Sequence, residues 1–198
     1  MAVYKIFPTQ DTTLYSLYPE MNTGLDEILE SSLEVGTYGT PSPQTSRFLI
    51  QFDSNEITDV IDNRISGSQW QSNLKCFVAN VTGLNSDTTI EAYPISQSWN
   101  MGTGRFAYSP EIQNGASWIW RDYQGGIAWT TSSFAPGSTG SYSSSVDPGG
   151  ATWYITQSLS SSQTFEYYTD KDININVTNI INAWYSSSIE NNGFIIKQ

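Results

Sequence analysis

Residues 173–197, ININVTNIINAWYSSSIENNGFIIK, decide how the chain is read. Ile173, Ile175 and Val177 alternate with Asn174 and Asn176, the period of a strand with one face buried. Asn176 or Thr178 is placed to cap a short helix. Ile180, Ile181 and Trp184 then fall at spacings that share one helical face. Asn191-Asn192-Gly193 supplies a turn that tolerates positive φ. Phe194-Ile195-Ile196 begins a strand apolar on both sides. Strand, helix, turn and strand in so short a span point to an all-β domain carrying small helical inserts.

Working outward, the second strong signal is Arg47-Phe48-Leu49-Ile50-Gln51-Phe52-Asp53. Its nearly continuous apolarity predicts a central strand. Asp53 with Glu56 resembles a capping box, and Ile57, Val60, Ile61 and Ile65 predict a helix through Arg64 over one end of the core. Weaker strands are expected at Val3 to Phe7, Asp11 to Ser16, Leu29 to Val35, Trp70 to Asn80, Thr88 to Ser96, Thr152 to Ser158 and Gln163 to Tyr168. Leu29, Leu33 and Val35 are expected on the apolar side of their strand. Gly83 to Asp87 reads as a hairpin connection between its flanking strands. Pro94 places its strand at an edge, a bulge or an end. Tyr18 to Gly24 and Gly36 to Gln44 read as loops. Thr130 to Gly150, nearly all Ser, Thr and Gly, reads as a mobile or externally braced loop.

Composition bounds the function. The 198 residues suit one sizeable core, here a single β domain with long loops over 1–198. Charged residues make up only 14%, matched by 14% aromatics, which suits short strands and polar turns. A formal charge of −11 opposes binding to nucleic acid and to anionic membranes. Absence of histidine removes Ser-His-Asp and Cys-His catalysis and ordinary zinc sites. Cys76, the only cysteine, lies in a strand-like run and reads as a buried, inert thiol. Neither a signal peptide nor a membrane span is evident. No motif singles out two facing carboxylates, so no catalytic residue is assigned and a non-enzymatic role is expected.

The richest stretch for binding is Trp99 to Trp129, where seven aromatics are interleaved with glycines. Trp99, Trp118 and Trp184 read as core. Trp120, Arg121, Tyr123, Trp129 and Tyr108 are the candidates for ligand or protein contact. A sugar's apolar face stacks on exposed rings, and Trp118 with Trp120 would project together from one strand. Asp11, Glu34, Asp53, Asp59 and Asp62 are too scattered to predict a calcium loop. A structural calcium is therefore a minor alternative, and no cofactor or metal ligand is assigned.

Several separated segments together carry a resemblance. They are Asp11-Thr12-Thr13-Leu14-Tyr15 with Asn22-Thr23-Gly24, Leu33 to Gly36, and Ser46 to Asp53. Tyr93-Pro94-Ile95 with Ser98-Trp99, then Gly115 to Trp118, follow. Val177-Thr178 with Ile180 to Trp184, and Asn192 to Lys197, complete the set. In their order and spacing they resemble the DNRLRE-type carbohydrate-binding-module-like domains. That family's jelly-roll β-sandwiches occur beside polysaccharide-degrading enzymes, in surface proteins and in structural proteins of tailed phages, including cyanophages. The resemblance covers nearly the whole chain outside Thr130 to Gly150. It implies a jelly roll with two short helices and long aromatic or Ser/Gly-rich loops. It also implies a structural or adaptor protein of a virion (neck, tail or head), assembled in the host cytoplasm with other virion proteins or copies of itself. The alternative is a carbohydrate-binding module that takes a polysaccharide on its loop aromatics. Family domains continue past the Gly-Phe-Ile-Ile-Lys strand into one more strand. The expectation is that the Phe194 strand pairs in trans or with a strand after Gln198.

Overall fold

A computed structural model describes residues 3–34, 44–65, 69–81, 87–130, 141–142, 149–166 and 172–198. In chain order the elements are β1 (Gln10–Tyr15), β2 (Ser32–Glu34), β3 (Gln44–Gln51), α1 (Ser54–Asp59), β4 (Asn73–Cys76) and β5 (Thr88–Pro94). Next come β6 (Trp120–Asp122), β7 (Ile127–Ala128), β8 (Ser141–Tyr142), β9 (Trp153–Tyr154) and β10 (Ser161–Phe165). The last are β11 (Ile173–Asn176), α2 (Thr178–Tyr185) and β12 (Phe194–Lys197). The protein is mostly β, its sheets are antiparallel, and it carries two short helices.

The main sheet runs β1-β3-β12-β5-β10, with β2 also on β3. Leu49 faces both Thr12 of β1 and Ile195 of β12, and Ser46 faces both Tyr15 of β1 and Ser32 of β2. Hence β1 holds one side of β3, while β12 and β2 follow one another along the other. Gln198 Nε2 donates to Ser31 O at 3.1 Å where they meet. β12 is paired on both sides, by β3 and by β5. This overturns the expectation that the Phe194 strand needs a pairing strand from another chain or from beyond Gln198.

Strand alternation divides the apolar residues between two faces. Phe48, Ile50, Ile90, Ala92, Phe194 and Ile196 face a core closed by Ile57 of α1, by Ile180, Ile181 and Trp184 of α2, and by Leu74, Ile173 and Ile175. The last three belong to the β4–β11 sheet, a second β layer. Leu14, Leu49, Ile95 and Ile195 face the opposite way. There Trp99, Trp118, Trp129 and Trp153 cover them. The main sheet is thus sandwiched, and β12 is buried on both sides because it lies in the middle.

Local chemistry sets the ends. The Asp53 side chain caps α1 by accepting from Asn55 N at 2.8 Å, and the helix continues as one π-helical turn over Val60–Arg64. At α2 the cap position is Val177. Asn176 Oδ1 accepts from Thr178 N at 3.0 Å and from its hydroxyl at 2.7 Å. Gly193 adopts φ +86°, and a Cβ there would lie 2.4 Å from Ile50 O, so the turn into β12 needs glycine.

Several expectations are corrected. Val3 to Phe7 forms no strand; Ile6 packs on the core while Val3 and Phe7 face solvent. Of the described residues 29–34 only Ser32–Glu34 pairs, and Leu33 is 51% exposed rather than inward, while Val35 lies outside the described residues. β4 pairs with β11 and β5 with β12 and β10, so these two strands form no hairpin with each other, and 82–86 between them lie outside the described residues. Pro94 does end its strand. Gly36 to Pro43, and 131–140 and 143–148 of the Ser/Gly-rich loop, lie outside the described residues.

The outer strand β1 of the main sheet and the free edge of β11 are each sealed by a side chain that imitates a neighbouring strand. Thr23 Oγ1 accepts from Thr13 N at 3.1 Å and donates to Thr13 O at 2.7 Å on β1. On β10, Gln163 Nε2 donates to Asp172 O at 3.1 Å and its Oε1 accepts from Asn174 N at 2.7 Å. That single amide stitches the main sheet to the β4–β11 layer. Such closures satisfy edge groups that would otherwise recruit foreign strands.

Candidate functional site

The 99–129 loops are built around Asn22, which is fully buried. Its Nδ2 donates to Met101 O at 2.7 Å and Ala116 O at 2.8 Å. Its Oδ1 accepts from Gly104 N at 2.7 Å and, more weakly, from Gly24 N at 3.4 Å. A Cβ on Gly104 would lie 2.1 Å from Asn22 O, and one on Gly115 would lie 2.7 Å from Nδ2. Gly102, Gly104 and Gly115 therefore leave the room that Asn22 fills. The Asn22-Thr23-Gly24 segment reads as a turn in sequence; its buried polar side chains make it the clasp of the loops. The only signal was an Asn-Thr-Gly triplet, which is common in any turn.

Next to the clasp lies an open groove of about 400 Å³ lined by Gln10, Asn100, Thr103, Asn114 and Gln124 among others. Most of these amides are engaged. Asn114 accepts from Thr103 N at 2.9 Å and donates to its hydroxyl at 2.8 Å. Asn100 Oδ1 accepts from Gly102 N at 3.1 Å, and Gln10 bonds Gln51. Gln124 is exposed on the β6–β7 turn.

Three candidates meet on that β6–β7 hairpin. Trp120 and Tyr123 pack edge-on at 5.6 Å and 74°. Both are half-buried, and Trp120 Nε1 is buried rather than offered to a ligand. Arg121 Nη1 donates to Ser98 O at 2.7 Å and Oγ at 3.0 Å, tying the hairpin to the loop before Trp99. Trp129 does not join them. It is 4% exposed and donates from Nε1 to Ser117 O at 2.9 Å, as a core side chain. Tyr108 is 61% exposed, and among the described residues no ring contact or hydrogen bond ties its side chain to the hairpin.

Trp118 and Trp120 do not project together: Trp118 precedes β6 and turns into the core. Trp99 and Trp184 are buried as expected. Trp99 Nε1 donates to Asn192 O at 2.9 Å, and Trp184 packs on Phe194 at 4.6 Å.

Sequence reasoning missed a half-buried cationic pair. The Arg47 guanidinium lies 4.8 Å from the Trp118 ring and 5.3 Å from Trp153, and donates to Gly150 O at 3.0 Å. Lys197 Nζ pairs with Glu91 Oε2 at 2.5 Å, with the Tyr93 ring 5.2 Å away. Partial burial pushes the Glu91 carboxyl up, and the bond and charge of Lys197 more than reverse this, leaving it below its usual range. Burial, with the bond and charge of Glu91, pushes Tyr93 up to about 12. These are packing interactions that fix one face of the sheet.

Among the described residues no group of three or more carboxylate or thiol side chains could hold a metal. Asp53 caps α1, Asp59 pairs with Arg64 at 3.2 Å, and Asp62 accepts from Tyr185 at 2.5 Å. No described helix is long and apolar enough to cross a membrane. Comparison with protein-family models, with curated proteins and with solved structures returns no match.

Proposed function

We propose that the chain is a non-enzymatic structural or adaptor protein of a tailed-phage virion. Its scaffold, on this reading, is a jelly-roll sandwich like that of the carbohydrate-binding-module-like domains it resembles. One contrast carries the proposal. Of the two candidate tryptophans for sugar stacking, Trp129 is spent inside and Trp120 is half-buried, while large apolar side chains on other segments face outward. Trp99, Trp118, Trp129 and Trp153 are buried, whereas Phe77 is 89% exposed and Phe7 73%. On this reading Phe7 and Phe77 are contacts that neighbours cover in the particle. Binding through such surfaces is geometric work and needs no reacting group.

Carbohydrate binding is the second reading, favoured by the amide-lined groove beside Tyr123. One pair of experiments separates the two. Virions of the phage encoding the chain are purified and reconstructed, and the isolated chain is run through polysaccharide-containing gels with Trp120→Ala, Tyr123→Ala and Gln124→Ala beside it. The structural reading expects symmetric copies with Phe7 and Phe77 covered, and no retardation. Absence from the particle, together with retardation abolished by the three substitutions, would replace it with the second.

A further inference from the structure

Tyr15, Tyr18 and Phe106 meet on the surface where β1 passes into the next loop. Phe106 sits between the others, 5.0 Å from Tyr15 at 54° and 5.7 Å from Tyr18 at 83°. Phe106 is 44% exposed and Tyr18 42%, so both present ring surface to solvent. Two bonds lock the loops together beneath them: Phe106 N donates to the Asp26 carboxylate at 3.0 Å, and Leu25 N to Gly104 O at 2.9 Å.

The rings are edged by carboxylates. Glu30 accepts from the Tyr15 hydroxyl at 3.3 Å, and Glu27 reaches Arg105 at 3.7 Å. Asp26 accepts from Phe106 N, so three carboxylates border the rings and only Glu27 among them has Arg105 as a basic partner. Burial first, then the charge of Glu30, its hydrogen bond and the charge of Asp26, push the Tyr15 hydroxyl well above its ordinary value.

We propose that this surface docks an arginine-bearing segment of a neighbouring protein. The guanidinium would stack on Phe106 or Tyr18 while pairing with Glu27 or Glu30. The inference rests on the assembly reading for its claim that the partner is a protein. A planar guanidinium fits better than an ammonium because it stacks and pairs at once, and is more weakly hydrated. The chain uses the same chemistry internally, where Arg47 lies between Trp118 and Trp153.

The full chain is titrated into fluorescein-labelled Arg-Ser, Lys-Ser and Glu-Ser repeat peptides of equal length, read by anisotropy at physiological salt. The Arg-Ser peptide binds best and the Glu-Ser peptide does not bind. Phe106→Ala, Tyr18→Ala and Glu27→Gln each weaken Arg-Ser binding by about two- to fivefold. Glu56→Gln, the same charge change on α1, leaves it unaltered. Thermal melts confirm that each variant is folded, and both ring positions are partly exposed. Equal weakening by Glu56→Gln, or unchanged binding by both ring variants, would mean diffuse attraction to an acidic protein and overturn the proposal. A reconstruction showing an uncharged neighbour on these rings would also overturn it while leaving the assembly reading intact. Absence from the particle would sink that reading whatever the peptides show.

Discussion

Replacing Asn22 with alanine should unfasten the 99–129 loops. The amide makes two donations, at 2.7 and 2.8 Å, and one strong acceptance at 2.7 Å, the last two buried and the bond to Met101 O partly so. Truncation strands Ala116 O and Gly104 N away from water and leaves Met101 O, at the groove's edge, without this partner. Each stranded group costs about 1–3 kcal/mol. They share one site and can relax together, so the sum should fall near 3–5 kcal/mol rather than at the arithmetic maximum. That is a large part of the 5–15 kcal/mol typical of a domain. Urea unfolding followed by tryptophan fluorescence and by far-ultraviolet dichroism measures it. Hydrogen exchange at Gly104 N should accelerate even where the protein remains folded. Asn22→Asp keeps the size and the acceptor, but sets a carboxylate oxygen against two carbonyls. It should be at least as damaging at neutral pH and milder in acid, where a protonated carboxyl donates to one of them. A loss below about 1 kcal/mol for Asn22→Ala would show that the loops are held by their tryptophans instead, and would refute the clasp.

Three further outcomes follow from the same bonds. The Lys197–Glu91 pair holds the carboxyl below its ordinary 4.5, so its contribution is complete above that pH and lost as pH falls through the lower folded value. Glu91→Gln should therefore lower Tm at pH 7 and cease to matter in strong acid, with a gap of about 1 kcal/mol, since the pair is partly exposed. Gln163→Ala should cost about 1–3 kcal/mol in denaturant unfolding by freeing Asp172 O and Asn174 N, and should raise exchange in β11 before β3. Cys76, partly buried on β4, has its thiol pushed up to about 11 by burial. It should react slowly with iodoacetamide at pH 8 in the native protein and rapidly in urea, as followed by mass spectrometry.

How legible each piece was in the sequence depends on how local its cause is. β3, β12 and α2 could be read because a strand buried on both faces, or a helix with one apolar stripe, leaves a pattern a few residues long. Asp53 was readable as a cap for the same reason. Val3 to Phe7 carried a strand's composition but remains unpaired, since pairing depends on a partner that composition does not name. The β4–β5 hairpin failed likewise: adjacency suggested it, yet β11 and β12 compete for those strands from about 100 residues away. Among the candidates, Trp120, Arg121 and Tyr123 are neighbours in sequence, and one hairpin keeps them together. Trp129 looked equivalent, but it pairs back across the core to Ser117. The Tyr15–Phe106 contact joins residues 91 positions apart, and no local period announces it.

The central place of β12 bears on how the chain is made. β12 comes latest in chain order among the strands of the main sheet, yet it joins β3 to β5. Until Phe194 emerges, the nascent chain carries two unfinished half-sheets, β1-β3 and β5-β10, whose inner edges are apolar and unpaired. Folding of this sheet should therefore be slow, because its decisive pairings span large sequence separations. Holdase-type protection of those open edges should raise the yield.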